Sequence, residues 1–119
     1  MLNIGIDMVE IDRIRKILKR NKNFLGFILG EIEFKQLEKR NFPCSSVAAN
    51  FCGKEAFVKS IGCGIFSFNM KHIQIIRNEL SQPEILLGSE VSKIIGSNLS
   101  FSISITHTKT TALAVVVSS

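Results

Sequence analysis

Residues 51–62 read FCGKEAFVKSIG. The spacing predicts one helix from about Val47 to Ile61, ended by Gly62, with a carboxylate where an apolar residue is expected. At about 100° per residue, Val47, Phe51, Glu55 and Val58 fall on one side, within roughly 80° of each other. Glu55 therefore lies in the apolar stripe. One account is an i,i+4 pair with Lys59, which stabilises a helix by roughly 0.2–0.5 kcal/mol. Taking a carboxylate out of water costs several kcal/mol even after relaxation, and such a pair does not offset that. Glu55 then lines a cleft open to water or has a cation beside it, and both arrangements mark a candidate site.

The chain that carries this helix has 119 residues, which predicts a single domain over 1–119. Hydrophobic residues at 45% and charged residues at 21% are ordinary for a globular protein and argue against disorder. No apolar run reaches membrane-spanning length, and the N-terminus enters a strand-like pattern in place of a signal peptide. The expectation is a soluble cytoplasmic protein with no membrane partner. Cys44, Cys52 and Cys63 are odd in number and lack metal-ligand spacing, which fits reduced thiols. A net charge of +5 favours an anionic partner: nucleic acid, a phosphorylated small molecule or an acidic protein.

Towards the N-terminus, Leu2, Ile4, Ile6 and Met8 alternate with Asn3, Gly5, Asp7 and Val9, the period of a strand. Asp7 lies near its exit on the face away from the isoleucines, where an acid usually caps the next helix. From Glu10 to Arg20 the period becomes helical, with Ile11, Ile14, Ile17 and Leu18 on one side. Arg13, Lys16 and Arg20 form a basic stripe with no acid interleaved, either a solvated face or a docking surface. Residues 23–29 are a short apolar segment ended by Gly30, 31–40 a further helix, and 41–46 a loop containing Pro43.

Towards the C-terminus, Gly62 and Gly64 bracket Cys63, a turn that lets the chain leave a helix with positive φ. These glycines follow the helix, whereas a phosphate-cradling P-loop places them before it. Residues 72–76 and 84–87 read as strands, 89–96 as a brief helix, and 101–106 and 112–117 as a terminal hairpin. The last strand is apolar throughout, which predicts burial on both faces. His107 continues the face of Phe101, Ile103 and Ile105, the position of a hydrogen-bonded core histidine. The order predicts an α+β fold, with helices packed on a largely antiparallel sheet.

GIDMVEIDRI at 5–14, KEAFVK at 54–59 with GCGI at 62–65, and SITHT at 104–108 together resemble the holo-(acyl-carrier-protein) synthase family of 4′-phosphopantetheinyl transferases. The resemblance spans nearly the whole chain and is weakest over 21–49 and 66–97. It implies transfer of the phosphopantetheine arm of coenzyme A to a serine of apo acyl carrier protein, for fatty acid biosynthesis. It also implies release of adenosine 3′,5′-bisphosphate, a requirement for Mg²⁺, and a homotrimer with active sites between subunits. Asp7 and Glu55 fall on the family's metal-binding acids. Lys59 falls on a lysine near the coenzyme A phosphates, with His107, Thr108, Gly62 and Gly64 also at cofactor positions. Arg13, Lys16 and Arg20 fall on the basic helix that receives the acidic carrier.

The chemistry needs such groups. Mg²⁺ is held by one or two carboxylates plus substrate phosphates, and a serine hydroxyl needs a base, for which Glu55 is the candidate, directly or through a metal-bound water. Some positions depart from the family pattern. Asn50 stands where an arginine is common, Cys52 and Gly53 where alanines are typical, and SQP at 81–83 where a glycine before the proline is common. Nucleic-acid binding is the main rival reading, but the chain has no Tyr or Trp, and its phenylalanines do not interleave with basic residues on a strand.

Overall fold

In the computed structural model, which describes residues 2–62 and 68–119, the inner sheet has the strand order β1-β5-β4. β1 (Asn3–Glu10) and β4 (Phe101–His107) flank β5 (Thr111–Ser118), both antiparallel to it. Ala114 of β5 faces Asp7 on one side and Ile105 on the other. β2 (Ile73–Arg77) and β3 (Pro83–Leu87) pair antiparallel as a separate two-stranded sheet. The strands are thus antiparallel as expected, but they divide into two sheets.

Five helices join them: α1 (Ile11–Arg20), α2 (Phe24–Ile28), α3 (Glu31–Glu38), α4 (Cys44–Ser60) and α5 (Ser89–Ile95). The apolar segment after α1 is itself helical, so among the described residues four α-helices, not three, precede β2. α4 begins three residues before the expected Val47. Pro43 stands immediately ahead of its first turn at φ −58°, and its carbonyl accepts hydrogen bonds from Ser46 N and Val47 N, both at 3.0 Å. Proline has no amide to lose there and its φ is already helical.

α4 lies across the inner face of the three-stranded sheet, and Val47, Ala48, Cys52, Ala56, Phe57 and Val58 bury against it. The approach is close because small residues meet. A Cβ on Gly5 would stand 2.0 Å from Ala56 O and 2.6 Å from Ser60 N, so only glycine lets β1 run this near the helix backbone. Gly53 has a similar reason: a Cβ would come within 2.9 Å of the Ile75 side chain and 3.1 Å of Ile103. The roughly 1 kcal/mol that glycine costs a helix is set against the packing of β2 and β4 on it.

The opposite face of the sheet is uncovered in the single chain. Leu2, Ile4, Ile6 and Met8 are between 56% and 70% exposed. β5 correspondingly alternates, with Ala112, Ala114 and Val116 buried under α4 while Leu113, Val115 and Val117 are only half-buried. The expectation of burial on both faces is corrected to burial on one: α4 covers the inner side, and among the described residues no element covers Leu2, Ile4, Ile6 and Met8 on the outer one.

Ser81, in the turn between β2 and β3, has φ +63°, a conformation that glycine adopts without the cost of a Cβ. The left-handed conformation costs a non-glycine residue about 1–2 kcal/mol, part of which glycine's greater unfolded-state entropy removes. Ser81→Gly should therefore stabilise the protein by about 0.5–1 kcal/mol, read from its urea midpoint; a loss of stability would refute this account of the turn.

Candidate active site

Asp7 projects from the α4-facing side of β1, two residues after the glycine that permits the close approach, and its side chain is only 11% exposed. Glu55, half-buried, stands on α4 opposite it. Burial first, and then the charge and hydrogen bonding of Asp7, push the Glu55 carboxyl up to about 7; the charges of Lys59 and Arg13 work the other way. Lys59 does not simply pair along the helix with Glu55. Its Nζ lies 3.2 Å from Asp7 Oδ1 and donates to Ile6 O at 3.0 Å, tying α4 to β1. Behind them the Cys52 Sγ lies 3.5 Å from Ala112 O, and its thiol is pushed up to about 12 by burial and then by Asp7. Cys52 is therefore a packed, protonated thiol. Asp7 is drawn into this cluster and makes no side-chain cap at the start of α1.

His107 is at the other edge of the sheet. With β5 between β1 and β4, two strand spacings separate it from the carboxylates, about 10 Å at the backbone. It is exposed, not a core histidine, and its Nδ1 lies 3.0 Å from Thr108 O. The Thr108 hydroxyl accepts hydrogen bonds from Thr110 N at 3.2 Å and Thr111 N at 3.1 Å, which shapes the β4–β5 turn. Gly62 leaves α4 with φ +74°, as the glycine turn required, while Gly64 and Cys63 lie outside the described residues.

His107 opens onto a basic cavity that sequence reasoning did not find. Arg40 and Arg77 both line it and a larger neighbouring cavity of about 590 Å³, together with Ser46 and Ser81. Arg40 Nη1 donates to Ser46 Oγ at 3.1 Å. The Arg77 backbone is clamped by Gln36, whose side chain accepts from Arg77 N at 2.9 Å and donates to Arg77 O at 3.0 Å. Arg77 Nη1 is buried without a hydrogen-bond partner among the described residues. Burial and then the charge of Arg40 push the Arg77 pKa down. Two guanidinium groups that disfavour one another across a cavity form a site for an anion. Arg40 lies in the turn after α3 and Arg77 ends β2, so no local sequence signal joined them.

Asn50, where a basic cofactor contact was in question, is 3% exposed and is turned inward, donating to Glu33 Oε2 and Ile75 O at 3.0 Å each. On α1, Arg13, Lys16 and Arg20 are all exposed and share a surface depression. The stripe is less purely basic than its sequence implied. Asp12 lies 3.1 Å from both Arg15 and Lys16, and Glu10 lines the same depression. Asp12 borders the stripe, and an i,i+4 contact brings its carboxylate onto Lys16.

A carboxylate pair, a lysine and an arginine-lined cavity, arranged about one helix on an antiparallel sheet, make the molecule a phosphate-handling α+β enzyme. The family model for the 4′-phosphopantetheinyl transferase superfamily matches residues 3–116. A holo-[acyl-carrier-protein] synthase of Clostridium perfringens is 38% identical over 120 residues, covering 96% of this chain and 90% of the relative. The structure of Helicobacter pylori holo-[acyl-carrier-protein] synthase in complex with coenzyme A superposes with a TM-score of 0.85 at 37% identity, covering 98% of this chain and 99% of that one. The Neisseria meningitidis synthase gives a TM-score of 0.90 at 32% identity, covering 98% and 97%. The chain belongs to the 4′-phosphopantetheinyl transferase superfamily.

Proposed function

We propose that this chain is a holo-(acyl-carrier-protein) synthase, which moves the 4′-phosphopantetheine arm of coenzyme A onto a serine of apo acyl carrier protein. The observation that carries the reading is the juxtaposition of Asp7 and Glu55 across the β1–α4 contact, with Lys59 beside them. The serine oxygen attacks the phosphorus bearing the pantetheine arm. A phosphorus–oxygen bond to the carrier forms as the one to adenosine 3′,5′-bisphosphate breaks, and the serine proton passes to Glu55. A carboxylate left ionised, as metal binding would leave Glu55, can accept that proton. Lys59 and the Arg40, Arg77 and His107 group offer cations to the phosphates. Incubation with coenzyme A, Mg²⁺ and apo carrier should add one phosphopantetheine mass to the carrier; an unchanged mass across a panel of carriers would refute the reading.

Asp7 and Glu55 fit Mg²⁺. Among the described residues no group of three or more His, Cys, Asp or Glu is suited to a metal. Two adjacent carboxylates that repel one another are the smaller donor set this ion takes when substrate phosphates complete its shell. When bound, Mg²⁺ supplies positive charge against the pyrophosphate. The raised Glu55 pKa gives a test. In the metal-free protein its contribution to stability is complete below about pH 4.5 and is lost as the pH rises through about 7. The ion competes with that proton, so Mg²⁺ should raise the Tm more at about pH 8 than at about pH 6. A shift independent of pH would remove Glu55 from the metal.

We assign the exposed face of Leu2, Ile4, Ile6 and Met8 to a homotrimer. The carboxylates and the Arg40, Arg77 and His107 cavity sit at opposite edges of one sheet, so apposed copies bring one chain's cavity towards another's carboxylates. A contiguous apolar face of this kind calls for a cover, and light scattering should give the mass of three chains. The basic face of α1 is assigned to the acidic carrier. Arg13 reaches Glu55 electrostatically, so Arg20 offers the cleaner probe. Arg20→Glu should raise the KM for carrier about tenfold with little change for coenzyme A; equal changes would place it elsewhere. The carrier substrate and the free Cys44 and Cys52 support a cytoplasmic enzyme of fatty acid biosynthesis.

A further inference from the structure

Lys54 and Glu33 form an ion pair in which both side chains are 0% exposed. The Lys54 ammonium donates to Glu33 Oε1, to Ile73 O, and to Met70 O at 2.9 Å, which uses all three of its protons. Glu33 Oε1 also accepts from Gly30 N at 3.0 Å, and Oε2 from Asn50 Nδ2 at 3.0 Å. The network joins the start of α3, the middle of α4 and the entry to β2. Desolvating two such charges costs several kcal/mol per ion, and apolar residues of similar volume often serve stability as well or better. Stability alone is therefore a weak reason for this pair.

Orientation is a stronger one. Glu55 follows Lys54 on α4, one 100° step around the axis. With its carboxylate roughly 6 Å from that axis, a rotation of the helix by about 10° displaces it by about 1 Å. Displacements of about 1 Å cost catalysis on the order of 100-fold. Three hydrogen bonds from a single ammonium, to groups on α3 and on the chain entering β2, oppose such a rotation. We propose that the Lys54–Glu33 pair is a positioning device that holds α4 at the rotation presenting Glu55 to Asp7. The inference rests on the catalytic reading of Glu55.

The test is the double variant Glu33→Leu/Lys54→Met, which removes both charges together, because either single change leaves an uncompensated buried charge and is expected to destabilise strongly. The double variant should still unfold cooperatively, with a lowered Tm because Gly30 N, Asn50 Nδ2, Met70 O and Ile73 O each lose a hydrogen bond. Its kcat should fall about 10–100-fold, while the KM values for coenzyme A and carrier stay within about twofold. Hydrogen exchange at the α4 amides should be faster than in the parent. A folded double variant with the parent kcat would overturn the proposal. So would a double variant that does not fold, since the pair would then serve the fold and not the orientation of Glu55. Parent protein and Glu55→Gln are assayed alongside: an inactive parent, or an active Glu55→Gln, would instead overturn the catalytic reading.

Discussion

Glu55→Gln should lower kcat for phosphopantetheine transfer by about 10³-fold or more, because on the proposed reading it removes a base worth about 10²–10⁴ and a metal carboxylate in one step. The substitution keeps volume and shape, so the loss should not come through folding. The raised pKa makes the stability prediction asymmetric. A half-buried carboxylate held beside Asp7 disfavours the folded state once ionised. In the absence of metal, the variant should therefore be at least as stable as the parent above about pH 7. Added Mg²⁺ should raise the Tm of the parent but not of the variant. Parent-like turnover in Glu55→Gln would dismiss Glu55 as base and as metal ligand together.

Among the described glycines, Gly5→Ala should be the most damaging added methyl group. Its Cβ would fall 2.0 Å from Ala56 O, 2.6 Å from Ser60 N and 3.0 Å from Lys59 Cβ, and the first two are backbone atoms of α4 that no rotamer change can clear. Either β1 or the helix must retreat by on the order of 1 Å to restore contact distance, and overpacking of that kind costs about 3 kcal/mol or more. The same retreat separates Asp7 from Glu55 and draws Lys59 off Ile6 O, so transfer should fall on the order of 100-fold even in molecules that remain folded. Urea unfolding and single-turnover kinetics measure the two effects separately. A destabilisation below about 1 kcal/mol would show that the β1–α4 contact is not as tight as the structure has it.

Much of the architecture was legible along the chain because periodicity is local. The alternation of Leu2 to Val9, the helical spacing of Ile11 to Leu18 and the apolar terminal hairpin each marked an element whose type the structure bears out. The start of α4 was misplaced because serines at 45 and 46 resemble caps, whereas Pro43 sets the boundary. The short α2 was read only as apolar, since five residues are too few to display a helical period.

The carboxylate in the apolar stripe stood out because burial of a charge is costly wherever it occurs, so Glu55 was a candidate before any partner was known. Which partner it has is a tertiary fact. Asp7 reaches it only because Gly5 lets β1 lie against α4, and Lys59 bonds across to β1 because Asp7 is nearer than the pattern along one helix reveals. Arg40 and Arg77, 37 positions apart in the chain, meet in a cavity that no spacing rule connects, and Lys54 and Glu33 meet with every proton used in a core that composition would have filled with hydrocarbon. Sequence by itself determined the elements and the one misplaced acid, because these follow from the properties of residues within a few turns of each other. Only the tertiary structure decided which charges are neighbours, because electrostatic partners are chosen by distance in space.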